Sequence, residues 1–311
     1  MTTFIRNIWL TSPMMRGGDI VQIQSRLNDL GAKLTCDGVY GRATRDAILA
    51  FQKRNNALKQ DGVVGIQTWA VLFAEPGAVI ADRVVADILD QSTLSKLASL
   101  HSFFANSVRW QLVADGVLVE GDAAPVFGSA ETKEVSEVFG KYGDALTTVL
   151  SIVQVPIELV IACICTESDG LATAERHEKG CSTIDPALTP SRVSVGLMQT
   201  LLSTASSVMP NPVSLADLRN PLVSIEAGAR YMWREARATQ FDPPLVACAY
   251  NAGSLIHNSS PENRWKLLQY PTGKSEYADR FIRFFNAAMN LPEVGEKVKA
   301  LGGRVASLRP A

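Results

Sequence analysis

A glutamate at the end of an apolar helical stripe is the residue of this sequence best placed for acid–base chemistry. Val160, Cys163, Ile164 and Glu167 recur at the spacing that puts side chains on one face of a helix. Such surroundings would partly desolvate the carboxyl group, raise its pKa and keep it protonated near neutral pH. A protonated carboxyl group can serve as the general acid for a glycosidic oxygen. The segment alone also fits a glutamate that turns from the helix end into solvent.

Helices must position this glutamate, because apolar residues recur with helical periodicity along most of the chain. The pattern predicts helices over 133–153, 157–168, 221–239, 243–250 and 275–290. Pro156 fits the first turn of the second of these, where its missing N–H costs nothing. Convincing strand alternation is almost absent, so the fold class is predicted to be mostly α.

Four short motifs accompany these helices in a fixed order. They are Glu-Ser at 167–168, Gly-Leu-Met-Gln at 196–199, Gly-Ala-Arg-Tyr-Met at 228–232 and Ala-Tyr-Asn-Ala-Gly at 249–253. In this order they resemble the soluble lytic transglycosylase family, relatives of goose-type lysozyme, over about 145–290. Each motif is weak alone, but the four together make a specific signal.

This resemblance implies a lysozyme-like helical domain with a groove for glycan strands. It implies that Glu167 protonates the oxygen between N-acetylmuramic acid and N-acetylglucosamine. The resulting carboxylate would then take a proton from the C6 hydroxyl of the same sugar, giving a 1,6-anhydro product without water. The match also implies that the hydroxyl of Tyr250 orients or hydrogen-bonds Glu167, which makes these two the catalytic candidates.

The other motif residues are candidates for binding the substrate. Gln199 and Asn251 carry amides that suit sugar N-acetyl and hydroxyl groups, and Met198 could form an apolar wall beside a sugar ring. Gly196 allows a close backbone approach. Ser168 could position substrate or cap the helix locally. For Ser168 and Met198, ordinary capping or packing is an equal alternative.

The stretch between Ser168 and Gly196 departs from the family, because it is longer than the usual loop. It contains His177, Glu178, Cys181 and Asp185. The stretch could shape the groove or supply an extra acid, so a hydrolytic enzyme remains an alternative. Glu226 is the one acid within a motif region, and we expect it to be a surface or structural residue.

The N-terminal part of the chain contains an internal sequence repeat. Asp-Gly-Val-Tyr-Gly at 37–41 and Asp-Gly-Val-Val-Gly at 61–65 are each followed, at the same distance, by a threonine. Over about 14–73 this pattern, with Phe-Gln at 51–52, resembles the peptidoglycan-binding domain family. The match implies a three-helix unit that binds the cell wall. Tyr40 and Arg42 are candidate wall contacts, whereas Trp69 is expected in the core.

Composition excludes several other classes of function. The net charge of −1 gives no reason to expect a nucleic-acid partner, and only three histidines occur, without a His-Glu-x-x-His pair. We therefore expect no metal, no cofactor and no nucleic acid. Five cysteines, an odd number, predict a reduced protein without disulfides. No signal peptide and no membrane span are apparent, and a monomer is expected.

The predicted organisation is a peptidoglycan-binding domain over 1–75, a helical linker region over 76–130, a catalytic domain over 131–292 and a C-terminal tail over 293–311. The tail is expected to be a frayed surface helix. These features favour a bacteriophage endolysin, held in the host cytoplasm until release and then acting on glycan strands in the periplasm. The alternatives are an injected antibacterial effector, a virion-associated lysin, a hydrolytic muramidase, or a binding module whose catalytic domain has decayed.

Overall fold

A computed structural model describes residues 6–54, 58, 60–73, 89, 91–177, 189–210, 212–302 and 304–309. The chain divides into two compact units, Met1–Ala78 and Val79–Ala311. Helices dominate both units, so the mostly α fold class is confirmed. None of the helices within the described ranges is long and apolar enough to cross a membrane.

The first unit contains the three predicted helices, α1 (Gly18–Asp29), α2 (Arg42–Lys53) and α3 (Ile66–Leu72). Their apolar faces meet in one core together with the completely buried Ile8 and Tyr40. Trp69 lies in this core, as expected. Tyr40 was predicted to contact the wall, and this is wrong, because its ring has no exposed surface and its hydroxyl donates to Gly62 O at 2.8 Å. Arg42 is exposed at the start of α2 and stays a prediction.

The two copies of the internal sequence repeat form the same hydrogen-bond network. In the first copy, the Gln24 amide donates to Asp37 Oδ1 at 2.9 Å and accepts from Gly38 N at 2.9 Å. In the second copy, Gln52 donates to Asp61 Oδ1 at 3.3 Å and accepts from Gly62 N at 2.8 Å. The repeated aspartates and threonines are thus used within the fold, where each buried glutamine joins a turn to a helix.

The second unit is built around one buried helix, α6. In chain order its elements are α4 (Gln91–Ala98), β1 (Trp110–Val113), β2 (Gly116–Val119), α5 (Ser129–Leu150), α6 (Ile157–Ser168), β3 (Glu175–His177), β4 (Val193–Val195), β5 (Thr200–Leu201), α7 (Leu202–Val208), α8 (Leu215–Leu218), α9 (Pro221–Thr239), α10 (Pro243–Ala252), α11 (Glu276–Asn290) and α12 (Pro292–Ala300). The five predicted helices of this region are therefore confirmed, with ends that agree within a few residues.

Helix α6 places the acid at the boundary between core and solvent. All its residues from Ile157 to Thr166 are buried, and α5, α9, α10 and α11 pack around it. It begins directly after Pro156 and ends at Asp169, whose backbone is left-handed at φ 50°. Glu167 therefore stands in the last turn, one residue beyond the fully buried part.

The stretch predicted as a helical linker over 76–130 contains a hairpin. Strands β1 and β2 pair antiparallel, with Trp110 opposite Val119. The hairpin packs on α11, where Val117 N donates to Asn286 Oδ1 at 2.7 Å. The helical prediction is wrong for 110–113, because the Asp-Gly turn at 115–116 between two apolar runs is a hairpin signal. The described part of this stretch belongs to the second unit.

The C-terminal tail is also packed more closely than predicted. After α12, residues 304–309 return to the first turn of α6, where Glu158 is completely buried. Ser307 Oγ and Leu308 N donate to the Glu158 carboxylate, and Arg309 Nε lies 3.2 Å from it. The predicted tail helix is present as α12, but its frayed character is wrong, because ion-pair partners so far apart in sequence cannot be recognised from local periodicity.

Among the described residues of the second unit, the strands are all short. Strands β3, β4 and β5 form a three-stranded antiparallel sheet in the order β3-β4-β5. This sheet contains the described part of the unusual stretch after Ser168. Cys163, Cys165 and Cys248 are buried free thiols and Cys36 is an exposed one, while the reduced state of the protein stays a prediction. Cys181, Glu178 and Asp185 lie outside the described residues.

Candidate active site

Glu167 has the surroundings of a general acid. Its carboxyl group is partly buried in the last turn of α6, and the Tyr277 hydroxyl donates to Oε1 at 2.5 Å. Burial raises the pKa of Glu167 to about 7, while the hydrogen bond from Tyr277 and the charges of Arg176 and Arg280 oppose this rise. A carboxyl group with this pKa is both protonated and ionised to a large extent near neutral pH, so it can give and take a proton.

Tyr277 is a site residue that the sequence analysis missed. It lies in the first turn of α11 and shares a helical face with Phe281 and Phe284, which are buried. A hydroxyl on an otherwise apolar stripe was the available signal, since a buried polar group needs a partner. The burial of Tyr277 raises its pKa well above 10.0, so the hydroxyl keeps its proton and acts as a donor to Glu167.

Tyr250 does not make the predicted hydrogen bond to Glu167. Its hydroxyl donates to Met198 O at 2.8 Å and lies 3.2 Å from Thr200 Oγ1. The hydrogen-bond part of the prediction is wrong, because the Tyr250 hydroxyl is bonded to the backbone of the 196–199 turn instead. Tyr250 therefore fixes this turn beside the acid, and Tyr277 holds the acid itself.

Replacing Tyr277 by phenylalanine tests this division of roles. The bond to the carboxylate favours its ionised form, so its loss raises the pKa of Glu167 above about 7. We expect kcat/KM to fall about tenfold, because one hydrogen bond to a charged group contributes about this much. The alkaline limb of the pH profile of kcat/KM should move to higher pH. The measurement is a pH profile of peptidoglycan cleavage.

Tyr250→Phe is the matched control for Tyr277→Phe. The Tyr250 hydroxyl bonds to a backbone carbonyl, so removing this hydroxyl should lower thermal stability and leave the alkaline limb of the pH profile in place. An alkaline limb that moved in Tyr250→Phe but not in Tyr277→Phe would reverse the assignment.

Gly196 occupies a position that only glycine fits. Its φ is +83°, and a Cβ there would lie 2.1 Å from Leu218 O and 2.6 Å from Ser224 Oγ. The predicted close backbone approach is therefore present, with protein rather than sugar as the neighbour. This packing sets the position of the turn that Tyr250 holds.

Met198 and Gln199 are used inside the protein. Met198 has no exposed surface and its sulfur packs against Gly228, so the predicted apolar wall beside a sugar ring is wrong. The Gln199 amide accepts from Ser194 Oγ at 3.1 Å and donates to Ala174 O at 2.9 Å and to Gly196 O at 3.0 Å. Gln199 thus braces the turn, because its donors and its acceptor have protein partners.

Ser168 and Asn251 also join elements of the site. Ser168 Oγ donates to Leu197 O at 2.7 Å, which ties the end of α6 to the 196–199 turn. Asn251 Oδ1 accepts from Tyr270 N at 2.5 Å, which fixes the segment that follows α10. Ser168 Oγ also donates to Ile164 O at 3.2 Å within α6, in agreement with the local capping alternative, while substrate contact by either residue stays a prediction.

A second acid beside Glu167 is not evident among the described residues. Glu226 is buried and paired with Arg230 at 2.8 Å, in agreement with the structural role expected. Glu175 contacts His177 at 2.6 Å and pairs with Arg219, and these partners keep its pKa below the usual range despite some desolvation. The described residues also hold no group of three or more potential metal ligands.

Comparison with known proteins agrees with both predicted resemblances. Residues 16–72 match the family model of a peptidoglycan binding domain, and residues 150–270 match the model of the transglycosylase SLT domain. One solved structure is described as the crystal structure of the Burkholderia AP3 phage endolysin. Its sequence is 17% identical to this chain, and the match covers 96% of this chain and 100% of the endolysin chain. Its TM-score is 0.22, a value at which the superposition supports no conclusion.

Proposed function

We propose that this chain cleaves the β-1,4 bond between N-acetylmuramic acid and N-acetylglucosamine to give a 1,6-anhydro product. It is a lytic transglycosylase acting on peptidoglycan, since residues 150–270 match the model of the transglycosylase SLT domain. The observation that carries this proposal is the partly buried Glu167, which has a pKa of about 7 and a hydroxyl donor at 2.5 Å. The binding domain over 16–72 would hold the enzyme on the same polymer.

The proposed reaction uses one carboxyl group twice. Glu167 first donates its proton to the bridging oxygen as the bond from that oxygen to the anomeric carbon breaks. The carboxylate of Glu167 then takes the proton of the C6 hydroxyl, whose oxygen bonds to the anomeric carbon. The proton balance closes without water, and Glu167 ends the cycle protonated.

The surroundings of Glu167 suit both halves of this cycle. Desolvation favours the protonated form that starts the reaction, and the Tyr277 hydrogen bond favours the carboxylate that the first step produces. Hydrolytic glycosidases generally need a second carboxylate to activate water or to attack the sugar. The described acids nearest in sequence, Asp169 and Glu175, are each paired with arginine, which favours the single-acid route.

Mass spectrometry of digested peptidoglycan tests the proposed bond chemistry. Purified sacculi treated with the enzyme should release muropeptides one water lighter than those released by a hydrolase. Muropeptides with a reducible N-acetylmuramic acid end would instead identify a hydrolytic muramidase. Products ending in N-acetylglucosamine would show that the other glycosidic bond is cut.

The combination of a wall-binding and a wall-cleaving domain in one chain supports an endolysin. In this proposal the protein stays in the host cytoplasm as a monomer, reaches the periplasm when the inner membrane is permeabilised, and lyses the cell. Expression in the cytoplasm should then leave cells intact until the membrane is permeabilised. An injected effector would be accompanied by an immunity protein, and a virion-associated lysin would be found in purified particles.

A further inference from the structure

Strand β3 divides its side chains between two faces. Glu175 and His177 share one face, where they contact each other at 2.6 Å and where Glu175 also pairs with Arg219. Arg176 stands between them in sequence, so its side chain leaves the strand on the opposite face. The stretch predicted to supply an extra acid therefore places a cation on that face.

The face that carries Arg176 is the one next to the acid. Arg176 lies directly opposite Ser194 in the antiparallel register, and directly paired residues share a face. Ser194 Oγ donates to Gln199 Oε1 at 3.1 Å, so the side chain of Gln199, in the 196–199 turn, lies on this face of the sheet. Ser168, the neighbour of Glu167, is bonded to the same turn. The sheet thus directs Arg176 towards the end of α6.

Among the described residues, Arg176 and Arg280 are the cations whose charge acts on Glu167, and Arg176 has the larger effect. Arg280 is paired with Asp169 and also donates to Cys165 O at 3.1 Å, so a carboxylate offsets part of its charge. Glu134 on α5 also interacts with Asp169 and Arg280, and burial raises the pKa of its carboxyl group. The other titratable groups coupled to Glu167 in the described part of the chain are Cys163 on α6 itself, Tyr250 on α10 and Tyr277 on α11. All three keep their protons, since burial raises the pKa of each well above its usual value.

We propose that Arg176 is a positioning residue for the reaction, whose guanidinium stabilises the carboxylate of Glu167 once the proton has been given to the leaving oxygen. This inference rests on the proposed function of Glu167. A positive charge near the carboxylate lowers the cost of forming it, because opposite charges attract more strongly in partly desolvated surroundings. The same carboxylate is the base of the second step, so Arg176 assists both steps through Glu167.

The test is the pH profile of kcat/KM for Arg176→Gln on purified peptidoglycan. Removing the charge should displace the alkaline limb upward by about half a pH unit, a modest shift because Arg176 is exposed and partly screened. One pH unit above the wild-type limb, the variant should keep about threefold more of its own maximal activity. Arg176→Lys should restore the wild-type limb, and added salt should shrink the difference between wild type and Arg176→Gln.

Arg219→Gln is the matched control, because Arg219 pairs with Glu175 on the other face of the sheet. An unmoved limb in Arg176→Gln, or an equal displacement in Arg219→Gln, would overturn the proposal. Thermal unfolding of each variant shows whether the fold is kept. Activity retained by Glu167→Gln would refute the proposed function, whereas an inactive Glu167→Gln with an unmoved Arg176→Gln limb refutes only the role of Arg176.

Discussion

Glu167→Gln is expected to lower the rate of peptidoglycan cleavage by about a thousandfold while the protein stays folded. The amide has nearly the same shape as the carboxyl group but cannot donate a proton of comparable acidity, and general acid–base catalysis contributes about 10²–10⁴-fold. The single carboxyl serves both proposed steps, so no other group replaces it. The measurement is release of anhydro-muropeptides from purified sacculi.

The stability of Glu167→Gln separates loss of chemistry from loss of fold. The folded pKa of Glu167 is about 7 and lies above the ordinary glutamate value of 4.5, so folding favours the protonated form. The group therefore costs stability as pH rises from about 4.5 to about 7, where the unfolded chain ionises first. Glu167→Gln should be at least as stable as wild type at pH 8. Glu226→Gln serves as the activity control and should still cleave peptidoglycan.

Gly196→Ala is expected to destabilise the second unit by about 2–6 kcal/mol. The added methyl group would meet the backbone oxygen of Leu218 at 2.1 Å, and the residue would keep a left-handed φ of +83°. Overpacking costs about 1–3 kcal/mol, and backbone strain of this kind costs about 1–3 kcal/mol more. The midpoint of denaturant unfolding measures the loss, and activity should disappear with the fold.

Gly253→Ala is the comparison that isolates the clash. Gly253 ends α10 with φ +85°, but the nearest atom beyond the local chain, Tyr231 Oη, would lie 4.0 Å from a Cβ. The strain is similar and the contact is ordinary, so the loss should be about 1–2 kcal/mol. Equal losses at the two glycines would show that the position of the 196–199 turn does not depend on close packing at Gly196.

Helix positions in this chain follow directly from sequence periodicity. Helices α6 and α9 begin and end where the pattern predicts, because proline starts and left-handed ends mark both of them. The β1–β2 hairpin was missed because a strand with few residues carries little periodic signal. Its Asp-Gly turn was visible, but the apolar run that follows also fits a loop packed on the core.

The site could be predicted at the level of motifs and less well at the level of single contacts. Glu167 stands out because it ends an apolar stripe, and this depends only on local order. Tyr277 is 110 residues away and reaches Glu167 because α11 packs on α6, a fact of the tertiary fold. Tyr250 and Met198 were assigned roles towards the acid and the sugar, whereas they bond to and pack against the protein.

The charge around the acid shows the same limit. Sequence indicated that the stretch after Ser168 could add an acidic group, since Glu178 and Asp185 lie in it. The described part instead adds Arg176, whose charge acts on Glu167 and which lies opposite Ser194 in the register of β3 against β4. Register depends on pairing between strands, which a single sequence does not reveal when the strands are short.

Direct titration of the Glu167 carboxyl carbon by NMR tests the central claim most directly, with Glu167→Gln used to assign the signal. The burial and contacts described above predict a titration midpoint near pH 7, displaced upward again in Tyr277→Phe. A midpoint in the ordinary range near 4.5, unchanged when Tyr277 is replaced, would contradict the account, because the carboxyl group would then be ionised before it met a glycan strand.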